Sequence, residues 1–219
     1  PYEDFAMTRS ALGIPENNFV FCCFNNTYKI TPFILDSWAR ILQNVEASIL
    51  LVYADNEPAK INLSKEISNR GIDSCRLIFG KHLPRSEYLG RFKVADLFLD
   101  THPYNAGATA SDALRMGLPV LTYLGKSFVS RMGASLLTAI NLPEMITRTQ
   151  EEYELLAIKL ASHPEKFKVI KDKLTNNLSN ASLYDTPMFV KHLESAYQTM
   201  YERQQKGLKN DDIYVQNSN

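Results

Sequence analysis

"LFLDTHPYNAGATASDALRMGLPVLTY", residues 97–123, changes character several times within one short span. It opens on an apolar run, passes through Asp-Thr-His-Pro, and enters the small residues between Asn105 and Ser111. It then continues as a short helical pattern into a second apolar run, Leu118 to Tyr123. Strand, loop, helix and strand in that order make a βαβ unit, whose two strands lie parallel.

The same alternation extends outward. Upstream, "FVFCCF" (19–24) precedes a helix that Thr31 caps and Pro32 opens, with Phe33, Leu35, Trp38, Ile41 and Leu42 at helical spacing. "SILLVY" (48–53) is followed by the helical "EPAKINLSKEISNRG", ended by Gly71. "CRLIFG" (75–80) leads into "PRSEYLGRFKVA", a helix opened by Pro84. Downstream, "SFVSRMGASLLTAI" (127–140) reads as one further helix. Five wholly apolar strands alternating with helices predict an α/β fold with a parallel sheet covered on both faces. Right-handed crossovers make it a Rossmann-like doubly wound domain, placed at residues 1–148.

Beyond residue 149 the strands stop, and three helical patterns over 149–206 are expected to pack on that domain. In the last, Asp185 or Thr186 caps and Pro187 sits in the first turn. Phe189, Val190, Leu193, Tyr197, Met200 and Tyr201 then form one apolar stripe. The polar tail 207–219 is expected to fray.

Composition narrows the function classes. Lysine plus arginine and aspartate plus glutamate both number 24, so the net charge is zero, which argues against a nucleic-acid or acidic-membrane partner. No apolar run reaches the roughly 20 residues needed to cross a bilayer, and "PYEDFAMTRS" has no leader-peptide layout. Cys22, Cys23 and Cys75 all read as small buried hydrophobes in a reducing, cytoplasmic setting. No Cys-x-x-Cys or His-x-x-x-His pair occurs, so neither metal nor cofactor is expected.

Ligands of an open parallel sheet bind at the carboxyl ends of its strands. The run Asn105–Ser111 sits there, entering a helix, where small residues let backbone amides approach a phosphate closely. Asp112, in the first turn of that helix, suits a ribose hydroxyl. The same residues also suit tight helix–sheet packing, with Asp112 complementing the helix dipole. In "FNNTYKITP" (24–32), Lys29 can reach the same crevice, and Asn25 and Asn26 offer amide hydrogens or an Asx turn. In "GKHLPRSEY" (80–88), Leu83 offers backbone groups to a base, while Arg85 and Tyr88 offer planar groups to stack on it. No G-x-G-x-x-G and no G-x-x-x-x-G-K-[ST] is present, which disfavours NAD binding and ATP hydrolysis.

These stretches, "FNNTYKITP" and "LPRSEYLGRFKVADLFLDTHPYNAGATASDALRMGLPVLTYLGKSFVSRMGASLL", resemble the C-terminal catalytic half of the O-GlcNAc transferase and SPINDLY family, glycosyltransferase family 41. The likeness runs from about Phe19 to Tyr201. It implies the C-terminal domain of a GT-B fold and a metal-independent, inverting transfer of GlcNAc from UDP-GlcNAc to protein serine or threonine hydroxyls. By position it implies Lys29, with Asn26 beside it, on the donor pyrophosphate and as the catalytic residue. Leu83 would meet the uracil, with Arg85 and Tyr88 flanking base and ribose. Gly107, Ala108 and Thr109 would present phosphate-binding amides, and Asp112 would hold the ribose. Gly107-Ala108-Thr109 replaces the His-Thr-Thr or Gly-Thr-Thr of relatives, Tyr88 replaces a histidine, and Asn26 replaces a glutamine. The resemblance further implies an N-terminal catalytic domain and tetratricopeptide repeats as partners, without which this chain is expected to be inactive. The last helix would pack against that N-terminal domain. Two other functions remain open: a sugar-nucleotide epimerase, for which His82 and His102 lie near strand ends, and a non-catalytic nucleotide-binding or protein-interaction module.

Overall fold

The computed structural model describes residues 7–215, so most of the stretch read for a leader and the last four residues of the tail lie outside it. Apolar runs form strands where expected: β1 Phe19–Cys23, β2 Ser48–Tyr53, β3 Leu77–Gly80, β4 Leu97–Leu99 and β5 Val120–Tyr123. A sixth, β6 Ile146–Thr147, escaped the sequence reading because two residues are too short for an apolar run. The strands form one sheet, parallel throughout, in the order β3-β2-β1-β4-β5-β6. The order reverses between β1 and β4, and a crevice opens there at the carboxyl ends of the two strands.

Local chemistry sets the helix ends. Thr31 Oγ1 caps α1 (Pro32–Asn44), accepting from the amide of Ile34. Asn56 does the same for α2 (Glu57–Asn69), which Gly71 terminates at φ 79°, where a side chain would be strained. Two expected helices are divided. After Pro84, α3 (Arg85–Gly90) gives way to a tighter 3-10 turn, Arg91–Val94, that continues to the strand. The 127–140 segment breaks at Arg131 into a 3-10 turn, Phe128–Ser130, and α5 (Met132–Ala139). The third strand begins at Leu77 rather than Cys75, because Asp73 accepts from the Cys75 amide and fixes a 3-10 turn over Ser74–Arg76. Cys75 is therefore exposed, correcting its reading as a buried hydrophobe, whereas Cys22 and Cys23 are buried.

Right-handed crossovers from β1 in one direction and from β4 in the other place α1 and α2 on one face, α4 (Ala108–Arg115) and α5 on the opposite one. After β6, α6 (Gln150–Ser162) returns to lie along α1. There Trp38 Nε1 donates to the Tyr153 hydroxyl at 3.2 Å, and that hydroxyl donates to the Asp100 carbonyl at 3.0 Å. Trp38, Phe21, Phe98 and Tyr153 are fully buried, and burial of each such side chain contributes about 1.5–3 kcal/mol.

The chain divides into two compact units at Ser179/Asn180, with α7 (Pro164–Leu178) in the first. The second holds α8 (Thr186–Gln205), capped by Asp185, whose side chain accepts from the Met188 amide. Its stripe from Phe189 to Tyr201 is exposed. Among the described residues, no helix is long and apolar enough to cross a membrane.

Candidate functional site at the carboxyl ends of β1 and β4

Two loops meet in the crevice, organised by one buried carboxylate. Asp100, at the end of β4, accepts from the amides of Thr101 and Ala106 through Oδ1 at 2.8 and 2.7 Å. Through Oδ2 it accepts from the Thr122 hydroxyl at 2.7 Å. Asn25, just beyond β1, donates to Thr101 Oγ1 at 2.7 Å and to Asp100 Oδ1 at 3.4 Å, so it ties the loops together across the sheet. Asn105 donates back to the Thr101 carbonyl at 2.7 Å. Burial raises the Asp100 carboxyl to about 7, against the opposing pull of Thr122, the two amides and the Lys29 charge.

Gly133 of α5 packs against this carboxylate. A Cβ added there would lie 2.6 Å from Asp100 Oδ2, with Thr122 also in the way. Alanine normally favours a helix over glycine by about 1 kcal/mol. Overpacking costs about 1–3 kcal/mol and wins here. Gly133→Ala is therefore expected to lower the melting temperature by several degrees, and an unchanged or raised Tm would show that the contact yields easily.

The loop built on Asp100 delivers Gly107 to the start of α4 with no side-chain cap, and the first i→i−4 bond is Ser111 N–H to the Gly107 carbonyl. The amides of Ala108, Thr109 and Ala110 consequently have no partner within the helix. Asp112 is the fifth residue of α4, beyond the first turn, which removes the reading of it as a dipole complement. Both its oxygens instead take the Arg85 guanidinium at 2.8 Å each. Lys29 closes a 3-10 turn after β1, and its ammonium donates to the Asn105 carbonyl at 3.0 Å while lying 3.9 Å from the Tyr104 ring centroid.

Between these groups lies a cavity of about 220 Å³. The expected residues Asn26, Lys29, Leu83, Tyr88 and Thr109 all line it. Arg85, Gly107, Ala108 and Asp112 do not, although each shares an element or its cap position with a lining residue. His82 lines it too, whereas His102 stacks on Tyr123, centroids 4.1 Å apart.

The profile of glycosyl transferase family 41 matches residues 1–193. This chain belongs to glycosyl transferase family 41. It is 31% identical over 206 residues, 94% of its length, to the UDP-N-acetylglucosamine–peptide N-acetylglucosaminyltransferase of Caenorhabditis elegans, covering 18% of that protein. To the probable enzyme of the same name, SEC, of Arabidopsis thaliana it is 32% identical over 194 residues, 88% of this chain and 20% of the other. The solved structure of the K341M mutant of Thermobaculum terrenum O-GlcNAc transferase superposes with a TM-score of 0.78 at 32% identity, over 85% of this chain and 38% of that one. The chain thus spans about a fifth of the length of these curated relatives. Its sheet is that of a GT-B glycosyltransferase domain, as the resemblance implied.

The family 41 motifs did not lead to every residue of the site. Arg91 lines the cavity, is only 4% exposed, and lies 4.0 Å from the Phe24 ring centroid and 4.4 Å from that of Tyr88. Its Nε has no hydrogen-bond partner among the described residues, and burial lowers its pKa. Burial, with Asp112 nearby, raises the pKa of the Tyr88 hydroxyl. Tyr53, at the end of β2, also lines the cavity. One sequence signal pointed to Arg91: an arginine three residues after Tyr88 and next to Phe92, which puts a cation on an apolar helical face. Among the described residues, no group of three or more His, Cys, Asp or Glu gathers to hold a metal.

Proposed function

We propose that this chain is the donor-binding part of a protein O-glycosyltransferase and holds a nucleoside diphosphate sugar, UDP-GlcNAc foremost. One observation supports this above the others: a lysine, a helix start whose first amides have no partner within the helix and a cavity lined by aromatic and cationic groups converge on the crevice where the strand order reverses. The base occupies the cavity against Leu83, Tyr88 and Arg91. The ribose reaches Asp112, whose two oxygens face the Arg85 guanidinium and which also has the Tyr88 hydroxyl beside it. The diphosphate lies on Lys29 and the first amides of α4.

Lys29 is preorganised for this task. Of the three hydrogens on its ammonium, one goes to the Asn105 carbonyl and one faces the Tyr104 ring, which leaves the third for a phosphate oxygen. As the bond from the sugar's anomeric carbon to the diphosphate breaks, negative charge grows on that oxygen, and fixed donors stabilise it with little reorganisation. The proposed step takes its charge compensation from these groups and needs no metal. Acceptor serine or threonine hydroxyls, the N-terminal catalytic domain and tetratricopeptide repeats belong to the longer protein in this proposal.

Calorimetric titration of the chain with UDP, UDP-GlcNAc and GDP tests the reading. UDP is expected to bind, and more tightly than GDP, because the relatives this chain matches are named for UDP-N-acetylglucosamine. Absence of binding by all three ligands would overturn the proposal.

A further inference from the structure

We infer that Tyr28 and Tyr104 form the platform on which the donor's sugar ring stacks, and that this pair sets the preference among sugars. The inference rests on the donor-binding reading above. Both tyrosines flank Lys29: Tyr28 precedes it in the chain, and the Tyr104 ring centroid is 3.9 Å from its ammonium nitrogen. Their rings lie 6.1 Å apart at 59°, an open aromatic corner. Tyr28 is 69% exposed and Tyr104 43%, a paired exposure of large rings beside a polar crevice that costs apolar hydration unless something covers it.

The backbone beneath each ring is fixed. The Tyr104 carbonyl accepts from Thr101 Oγ1 at 2.6 Å, and Thr101 is fixed in turn by Asp100. The turn that presents Tyr28 is closed by hydrogen bonds from Lys29 to Asn26 and from Ile30 to Thr27. Neither ring lines the cavity, yet Lys29 both lines the cavity and touches Tyr104. A diphosphate on Lys29 with its base in the cavity therefore directs its other end to the tyrosines. A hexose presents one face of C–H bonds and a rim of hydroxyls, which suits amphipathic rings with hydroxyl tips. That continuity with Lys29 favours the sugar over an acceptor peptide as the occupant.

The test compares UDP with UDP-GlcNAc and UDP-glucose on the wild-type chain, Tyr28→Ala and Tyr104→Phe. Tyr28→Ala is expected to leave UDP affinity within about twofold and to weaken both sugar nucleotides by about three- to tenfold. Tyr104→Phe keeps the ring and is expected to change the ratio between the two sugar nucleotides more than either affinity relative to UDP. Equal weakening of UDP and its sugar forms would reduce the tyrosines to supports for Lys29 and overturn the inference, as would no change at all. A loss confined to peptide binding would assign the corner to the acceptor instead. Failure of the wild-type chain to bind any of the three ligands would sink the donor-binding reading itself, an outcome distinct from failure of the tyrosine variants.

Discussion

Replacing Lys29 by alanine is expected to weaken nucleoside diphosphate binding tenfold or more while leaving binding of the uncharged nucleoside nearly unchanged. A charge-assisted hydrogen bond to phosphate contributes about 1.5–3 kcal/mol, and each 1.4 kcal/mol is a factor of ten. The substitution leaves a modest structural gap, since the ammonium bonds a loop carbonyl and a partly exposed ring. Titration with UDP and with uridine separates the charge from the base. Parallel losses for both ligands would mean that Lys29 only supports the loop. In the longer glycosyltransferase proposed above, the effect should grow, because removing a donor that stabilises a leaving group costs roughly 10²–10³ in kcat.

The second large effect belongs to Asp100. Asp100→Leu strands the Thr101 and Ala106 amides and the Thr122 hydroxyl in the interior. At about 1–3 kcal/mol for each orphaned group, the loss is at least about 3 kcal/mol, a large share of a typical 5–15 kcal/mol stability. Asp100→Asn keeps the carbonyl for both amides and turns its NH₂ toward Thr122, so it is expected to fold. It should differ from wild type in its response to pH. The Asp100 carboxyl sits at about 7 when folded, against 3.8 for the free group. With the folded value raised, its contribution is fully present below about pH 4 and is lost as pH rises through 7, at up to about 1.4 kcal/mol per unit. Denaturant melts from pH 4 to 8 should therefore show the asparagine variant gaining steadily on wild type. Parallel profiles would mean that Asp100 stays charged in the fold.

How far the sequence reached depends on the range of the interaction concerned. Strands β1 and β2 and the start of α1 were legible because apolar run length, Thr31 and Pro32 act locally. Cys75 was misplaced because a single side chain, Asp73, turns the backbone before the strand begins. For the site, Lys29, Leu83, Tyr88 and Thr109 could be read from position at strand ends and from family likeness. The fixing of Asp112 by Arg85, 27 residues earlier, could not, because nothing local brings those two helices together. Arg91 was hidden for a related reason: an arginine is usually solvated, its spacing from Tyr88 is a weak signal, and the packing of Phe24 and Tyr88 around it is what shows its burial.

The hydrogen-bond relay from Trp38 through Tyr153 to the Asp100 carbonyl bears on how this module could be transplanted. A graft into a relative that ended with the last strand would carry the loops of the crevice yet leave behind the phenol that steadies the end of β4. The portable unit therefore includes α6, and chimaeras joined after Ser162 should retain a crevice that those joined before Gln150 have lost.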